Sequence, residues 1–185
     1  MVVAPSPQAS SFERNILAYG DNLDYLKNIP KESIDLIYLD PPFNSKRDYN
    51  ATFGAEAQIK AFEDTWSWSP NDDKALRYFA KEHKELGRLL VALGSIMSRD
   101  GLYPYLVAMS RRLVEMHRIL KPEGSIYLHV DDNAVHYLKM IMDKIFGFSS
   151  FQNQITWLRA DPKNGKLKQF GRCTDTILFY SKGKK

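Results

Sequence analysis

Apolar residues in this chain fall into runs whose period changes, and each change marks an element. "IDLIYL" (34–39) is almost continuously apolar, the pattern of a strand buried on both faces of a parallel sheet. "NILAYGD" (15–21) reads as a shorter strand closed by Gly20. Between them Leu23, Leu26 and Ile29 recur at helical spacing until Pro30 stops the helix. Residues 72–97 set Leu76, Phe79, Leu86, Leu90 and Leu93 on one helical face. Residues 105–120 do the same with Leu106, Met109, Leu113, Met116 and Leu120, with Pro104 near the first turn. "KPEG" breaks that helix, and "SIYLHV" (125–130) is a second apolar strand. Asp131 or Asp132 caps a helix over 133–146 that ends at Gly147. "QITWL" (154–158) and "TILFY" (176–180) read as closing strands joined by the basic stretch "RADPKNGKLKQFGR". Residues 44–71 are polar and aromatic and read as a long irregular segment.

Strands alternating with helices predict an open α/β fold with a mostly parallel sheet and a C-terminal antiparallel hairpin. Composition narrows this only slightly. With 185 residues, 44% apolar and 26% charged, the chain has material for one globular domain, here 13–185 behind a Pro- and Ser-rich flexible leader, 1–12. The 26 basic against 22 acidic residues, net +4, permit a polyanionic partner without demanding one. A single cysteine, Cys173, excludes an internal disulfide and fits a reducing compartment. The start lacks a signal-peptide pattern and no apolar run reaches membrane-spanning length, so the expectation is a cytoplasmic protein with no membrane contact.

In such sheets ligands sit beyond the carboxyl ends of the strands, and there the first long strand runs into Asp40-Pro41-Pro42-Phe43. Each proline fixes its own φ and pushes the residue before it out of helical geometry, giving a rigid extended corner. Neither proline has an N–H, so the corner offers acceptors only: the Asp40 carboxylate and backbone carbonyls, with the Phe43 ring beside them. That set suits a planar group bearing an NH₂, such as the exocyclic amine of a nucleobase. A stiff turn after a strand is the plainer alternative.

"YGDNLDYLKNIPKESIDLIYLDPPFN" resembles the opening of DNA amino-methyltransferases, whose catalytic signature is a strand-terminal D-P-P-aromatic. Its place early in the chain is similar to the permuted beta group, and the likeness continues through "FEDTWSW", "GSIYLHVDD" and "DTILFYSK", about residues 15–182. The resemblance implies a Rossmann-like, S-adenosyl-L-methionine-dependent methyltransferase fold, present here incompletely. It implies catalytic roles for Asp40, Pro41, Pro42 and Phe43, and cofactor contacts from Asp21 and Asp40. The partner it implies is double-stranded DNA with a flipped target base, approached by Asn44, Lys46, Arg47 and Tyr49. Asp rather than Ser at the first position leans toward adenine N6, with cytosine N4 the alternative.

Other features stay open. Gly20-Asp21 is equally a plain turn, and Lys163, Lys166, Lys168 and Arg172 are phosphate-contact candidates or solvated charges. Trp66 and Trp68 suit core packing against the sheet better than base contact. His129 and Asp131 share a strand face, yet two ligands make no metal site, and a packed histidine is preferred. The ten glycines include no G-x-G, although the resembled family needs a glycine-rich cofactor loop. The chain therefore reads as the N-terminal portion of a longer methyltransferase, lacking the cofactor-loop and target-recognition regions. A partner chain supplying them, a non-catalytic nucleic-acid-binding module, and an enzyme acting on RNA or protein glutamine are the rival readings. A portion of that kind leaves an unpaired apolar edge at "LIYL".

Overall fold

Asp21 starts helix α1, Asn22–Asn28, by accepting a hydrogen bond from the Leu23 N–H at 2.9 Å. This computed structural model describes residues 15–42, 48–53, 57–63, 66–159 and 173–183; the leader 1–12 and the basic stretch with Lys163, Lys166, Lys168 and Arg172 lie outside them. Leu23 and Leu26 form the buried face of α1. Helix α4, Leu102–Ile119, holds the other end of α1: Arg118 donates to the carbonyls of Leu26 at 2.8 Å and Ile29 at 3.0 Å, acceptors at the helix terminus.

Ile34–Leu39 is β1, parallel to β4, Leu120–Val130, with Ile37 opposite Ile126 and Leu39 opposite Leu128. It lies at the edge of the sheet, and Leu36 and Tyr38 are 59% and 55% exposed, so burial on both faces is not realised. The expected strand at 15–21 is absent: residues 15–20 carry no strand, and Leu17 and Tyr19 are fully or largely exposed. A strand exists through its neighbour's hydrogen bonds, and β1 offers its ladder to none of the described residues on that side. β4 begins earlier than expected, because "KPEG" runs inside the strand as an irregularity between the Ile34–Leu120 and Leu36–Ser125 pairs. β6, Thr174–Ser181, pairs antiparallel with β4, and β5, Phe151–Leu158, antiparallel with β6, giving the order β1-β4-β6-β5. The fold is α/β with a mixed sheet whose last two strands are the expected antiparallel pair.

The segment read as irregular contains a separate antiparallel ladder, β2 (Asp48–Phe53) with β3 (Ala57–Glu63). Its sequence does alternate, as Tyr49, Ala51 and Phe53 before Gly54 and Ala57, Ile59 and Ala61 after it. The single helix expected over 72–97 is two, α2 (Pro70–Glu82) and α3 (Lys84–Ile96), broken at His83. Gly87 permits the fold-back: a Cβ there would lie 2.8–2.9 Å from the backbone of Phe79 and Ala80, so α3 packs onto α2 closer than any side chain allows. Helix α5, Val135–Phe146, begins two residues later than expected and its N-cap is Ala134, not Asp131 or Asp132. Asp131 instead closes the turn before the helix, accepting from the N–H groups of Asn133 at 3.1 Å and Ala134 at 3.2 Å, and the helix stops at Gly147, φ +94°.

One sheet face, carrying Ile126, Leu128 and Val130 of β4 with Leu178 and Tyr180 of β6, is sealed by Leu90, Leu106, Leu113 and Leu138. Trp66 and Trp68 join this core, but on α4, edge-on to Tyr105 at 5.5 Å and stacked on Tyr103 at 5.1 Å. No described helix is long and apolar enough to cross a membrane.

Candidate active site

The hydrophobic pattern of β1 delivers Asp40 to the carboxyl end of a parallel strand pair, directly after Leu39. Pro41 is buried and Pro42 half-buried, which seats the corner, while the Asp40 side chain stays 58% exposed. The carboxylate is thus held at its base and open at its tip. Phe43, Asn44, Lys46 and Arg47 lie outside the described residues. Tyr49 is paired with Phe62 in the β2–β3 ladder.

His129, one residue past the Leu39–Leu128 pair on the neighbouring strand, brings its imidazole to this point. Its Nδ1 lies 3.2 Å from the Tyr38 hydroxyl and 3.9 Å from Asp40 Oδ1. Its Nε2 lies 3.4 Å from Asp175 Oδ2. His129 pairs with Ile177 in the β4–β6 ladder, so Asp175, two residues back along β6, is its diagonal neighbour on the same face. Asp175 is buried, and Arg159 Nη1 meets its Oδ1 at 3.2 Å. A carboxylate in such a place stands only where it is paired and hydrogen-bonded. Side chains from β1, β4 and β6 therefore converge on His129, beside the strand-end acid.

The packed histidine is found, joined to a hydrogen-bonding row that the sequence did not reveal. Asp175 was legible in principle as an acid placed early in the apolar strand "DTILFY". Asp131, the other residue weighed with His129 for a metal, is engaged in the turn that precedes α5. Among the described residues no group of three or more metal-ligating side chains gathers.

Asp21 lies elsewhere, at the start of α1. Its Oδ1 accepts both from Leu23 N–H and from Arg112 Nη2 at 2.7 Å, and the side chain remains about half exposed. A cleft of about 380 Å³ opens between α1, α2 and α4, lined by Leu23, Lys27, Lys74, Tyr78 and Arg111 among others; it shares no residue with the strand-end cluster.

A family model described as DNA methylase matches residues 34–185. The Mod subunit of the type III restriction-modification enzyme StyLTI from Salmonella typhimurium is 30% identical over 172 residues, 91% of this chain and 24% of that protein. The chain spans about a quarter of the length of the type III Mod subunits it matches. Among solved structures, the PvuII cytosine-N4-specific DNA methyltransferase is similar at 13% identity and TM-score 0.45, covering 89% of this chain and 48% of that one. A candidate DNA modification methylase from Thermus thermophilus, solved with S-adenosyl-L-methionine, is similar at 16% identity and TM-score 0.46, covering 90% and 55%.

Proposed function

Because this chain belongs to the DNA methylase family, we propose that it forms the amine-gripping part of a DNA methyltransferase acting on adenine N6. S-adenosyl-L-methionine supplies the methyl group, as a sulfonium. An adenine amine is a weak nucleophile because its lone pair is delocalised into the ring. The Asp40 carboxylate and the Pro41 carbonyl accept its two hydrogens, draw the nitrogen toward tetrahedral geometry and free that lone pair for in-line attack. Pro42 keeps the corner stiff, and Phe43 stacks on the extruded base, offsetting an unstacking cost of a few kcal/mol. Asn44, Lys46, Arg47 and Tyr49 approach the DNA from the segment that follows. Asp40 in the D-P-P-F tetrad, in the arrangement of the permuted beta group, carries the preference for adenine.

The observation that carries the reading is the Asp40 carboxylate itself, anchored by the buried Pro41 and exposed at a strand's carboxyl end. These residues fit the amine side of the reaction. The cofactor's amino-acid portion asks for a glycine-rich loop that none of the ten glycines provides, and Asp21 Oδ1 is already engaged by Arg112. We assign that portion, and target recognition, to segments beyond the 185 residues.

The test is transfer of tritiated methyl to DNA by the full-length protein that carries these residues, followed by nucleoside analysis. N6-methyladenine is expected, with Asp40→Ala lowering the rate by at least about a hundredfold at unchanged melting temperature. N4-methylcytosine as the product overturns the adenine assignment. DNA binding without any transfer favours a non-catalytic module. Titration calorimetry on the 185 residues is expected to show weak cofactor binding, and tight binding overturns the divided pocket.

A further inference from the structure

We propose that His129 is a positioning residue that receives, through Nδ1, the proton Asp40 takes from the methylated amine, with Asp175 and Arg159 fixing the ring for that task. The inference rests on the reading of Asp40 given above. Three distances carry it: Nε2 to Asp175 Oδ2, 3.4 Å; Nδ1 to Asp40 Oδ1, 3.9 Å; and Asp175 Oδ1 to Arg159 Nη1, 3.2 Å.

A carboxylate only accepts, so the contact with Asp175 places the imidazole hydrogen on Nε2 and leaves a lone pair on Nδ1. That lone pair faces Tyr38 and Asp40 from β4. At rest the Tyr38 hydroxyl donates to it at 3.2 Å. Asp175 cannot readily turn elsewhere: it is buried on β6, and the Arg159 guanidinium at the end of β5 holds its second oxygen. Among the groups facing the ring are Tyr38 and Asp40 from β1 and its end, and Asp175 with Arg159 behind it from the hairpin.

The step balances without any further reagent. Methyl transfer leaves a cationic amine nitrogen; one N–H bond breaks, its electrons stay on nitrogen, and the proton goes to Asp40. The Tyr38 hydroxyl rotates its hydrogen away from Nδ1, the new O–H bond then breaks as an N–H bond forms at Nδ1, and this regenerates the Asp40 carboxylate and leaves an imidazolium beside Asp175. The proton departs to water. At 3.9 Å the two atoms need a closing movement of about 1 Å or one bridging water, and the exposed tip of Asp40 leaves room for either. Restoring Asp40 in this way readies it for the next amine.

The test has one arm that needs no turnover. Two-bond ¹H–¹⁵N correlation NMR on the 185-residue chain reads the His129 tautomer. Hydrogen on Nε2 is expected, with the ring resonances shifted by Asp175→Asn; hydrogen on Nδ1 alone overturns the proposal. In the full-length protein, His129→Ala is expected to lower the single-turnover rate about tenfold to a hundredfold, with the KM for DNA unchanged. Added imidazole is expected to restore part of that rate, which repair of a merely structural defect does not predict. An undiminished rate in His129→Ala, or a loss that imidazole leaves untouched, overturns the relay alone. Wild-type protein that transfers no methyl group overturns the methyltransferase reading and the relay with it.

Discussion

Two neighbouring strands of one sheet live in different surroundings. On β4, Ile126, Leu128 and Val130 are sealed under the helices; on β1, paired directly to it, Leu36 and Tyr38 stand largely in water. The helix-packed face gathers nearly all the burial that holds the fold, with Ile34, Ile37 and Leu39 of β1 partly buried against it, whereas the outward residues of the edge strand lie open and the strand ends in the acid assigned the chemistry. On the proposed reading, stability and function are set by different residues, and substitution can separate them.

Leu128→Ala tests the sealed side most severely. Removing a fully buried side chain among Leu106, Leu138 and Leu178 is expected to cost about 2–5 kcal/mol, read as a lower urea midpoint at unchanged slope. A cost near that of an exposed position would erase the contrast.

A smaller effect comes from His117 on α4. Burial, aided by the positive charge of Lys182 and His83 and opposed by Glu32, pushes its pKa down to about 4. An unfolded histidine titrates near 6.5. Between those values the unfolded chain binds a proton that the folded one refuses, so stability falls as pH drops from about 6.5 toward 4 and levels off below. Urea unfolding at stepped pH should show a loss on the order of 2 kcal/mol, absent in His117→Gln. A flat profile in the wild type would show that the helical side admits water at this point.

The smallest effect belongs to the edge. Leu36→Lys is expected to change unfolding free energy by no more than about 0.5 kcal/mol and to reduce self-association in sedimentation, since charge on an unpaired strand discourages edge-to-edge pairing. A destabilisation comparable to that of Leu128→Ala would place Leu36 in a core.

Where local pattern decides structure, the sequence was readable. The spacing of Leu23 and Leu26, the stop at Gly147 and the apolar runs of β1, β4 and β6 all gave elements close to those observed, whereas the N-cap of α5 fell at Ala134 and not at an aspartate. Where partners decide, it was not. "ILAY" has strand composition, yet residues 15–20 form none because no neighbouring ladder is present among the described residues. The break at His83 has no proline; the fold-back it makes is allowed by the missing side chain at Gly87, which shows only once the two helices are packed. The Asp40 corner declared itself through its two prolines. The His129–Asp175 contact joins residues far apart in the chain, and only the register of two antiparallel strands brings them together.

The rails of β5 and β6 are tied together past their last strand pair, Leu158 with Thr174, by a hydrogen bond from the Arg159 N–H to the Cys173 carbonyl at 2.8 Å. With the two ends already clasped, the run between them can grow at an entropic cost of only about 0.6 kcal/mol per doubling of its length. Insertions, deletions and new charges can accumulate there while the framework beneath keeps its shape.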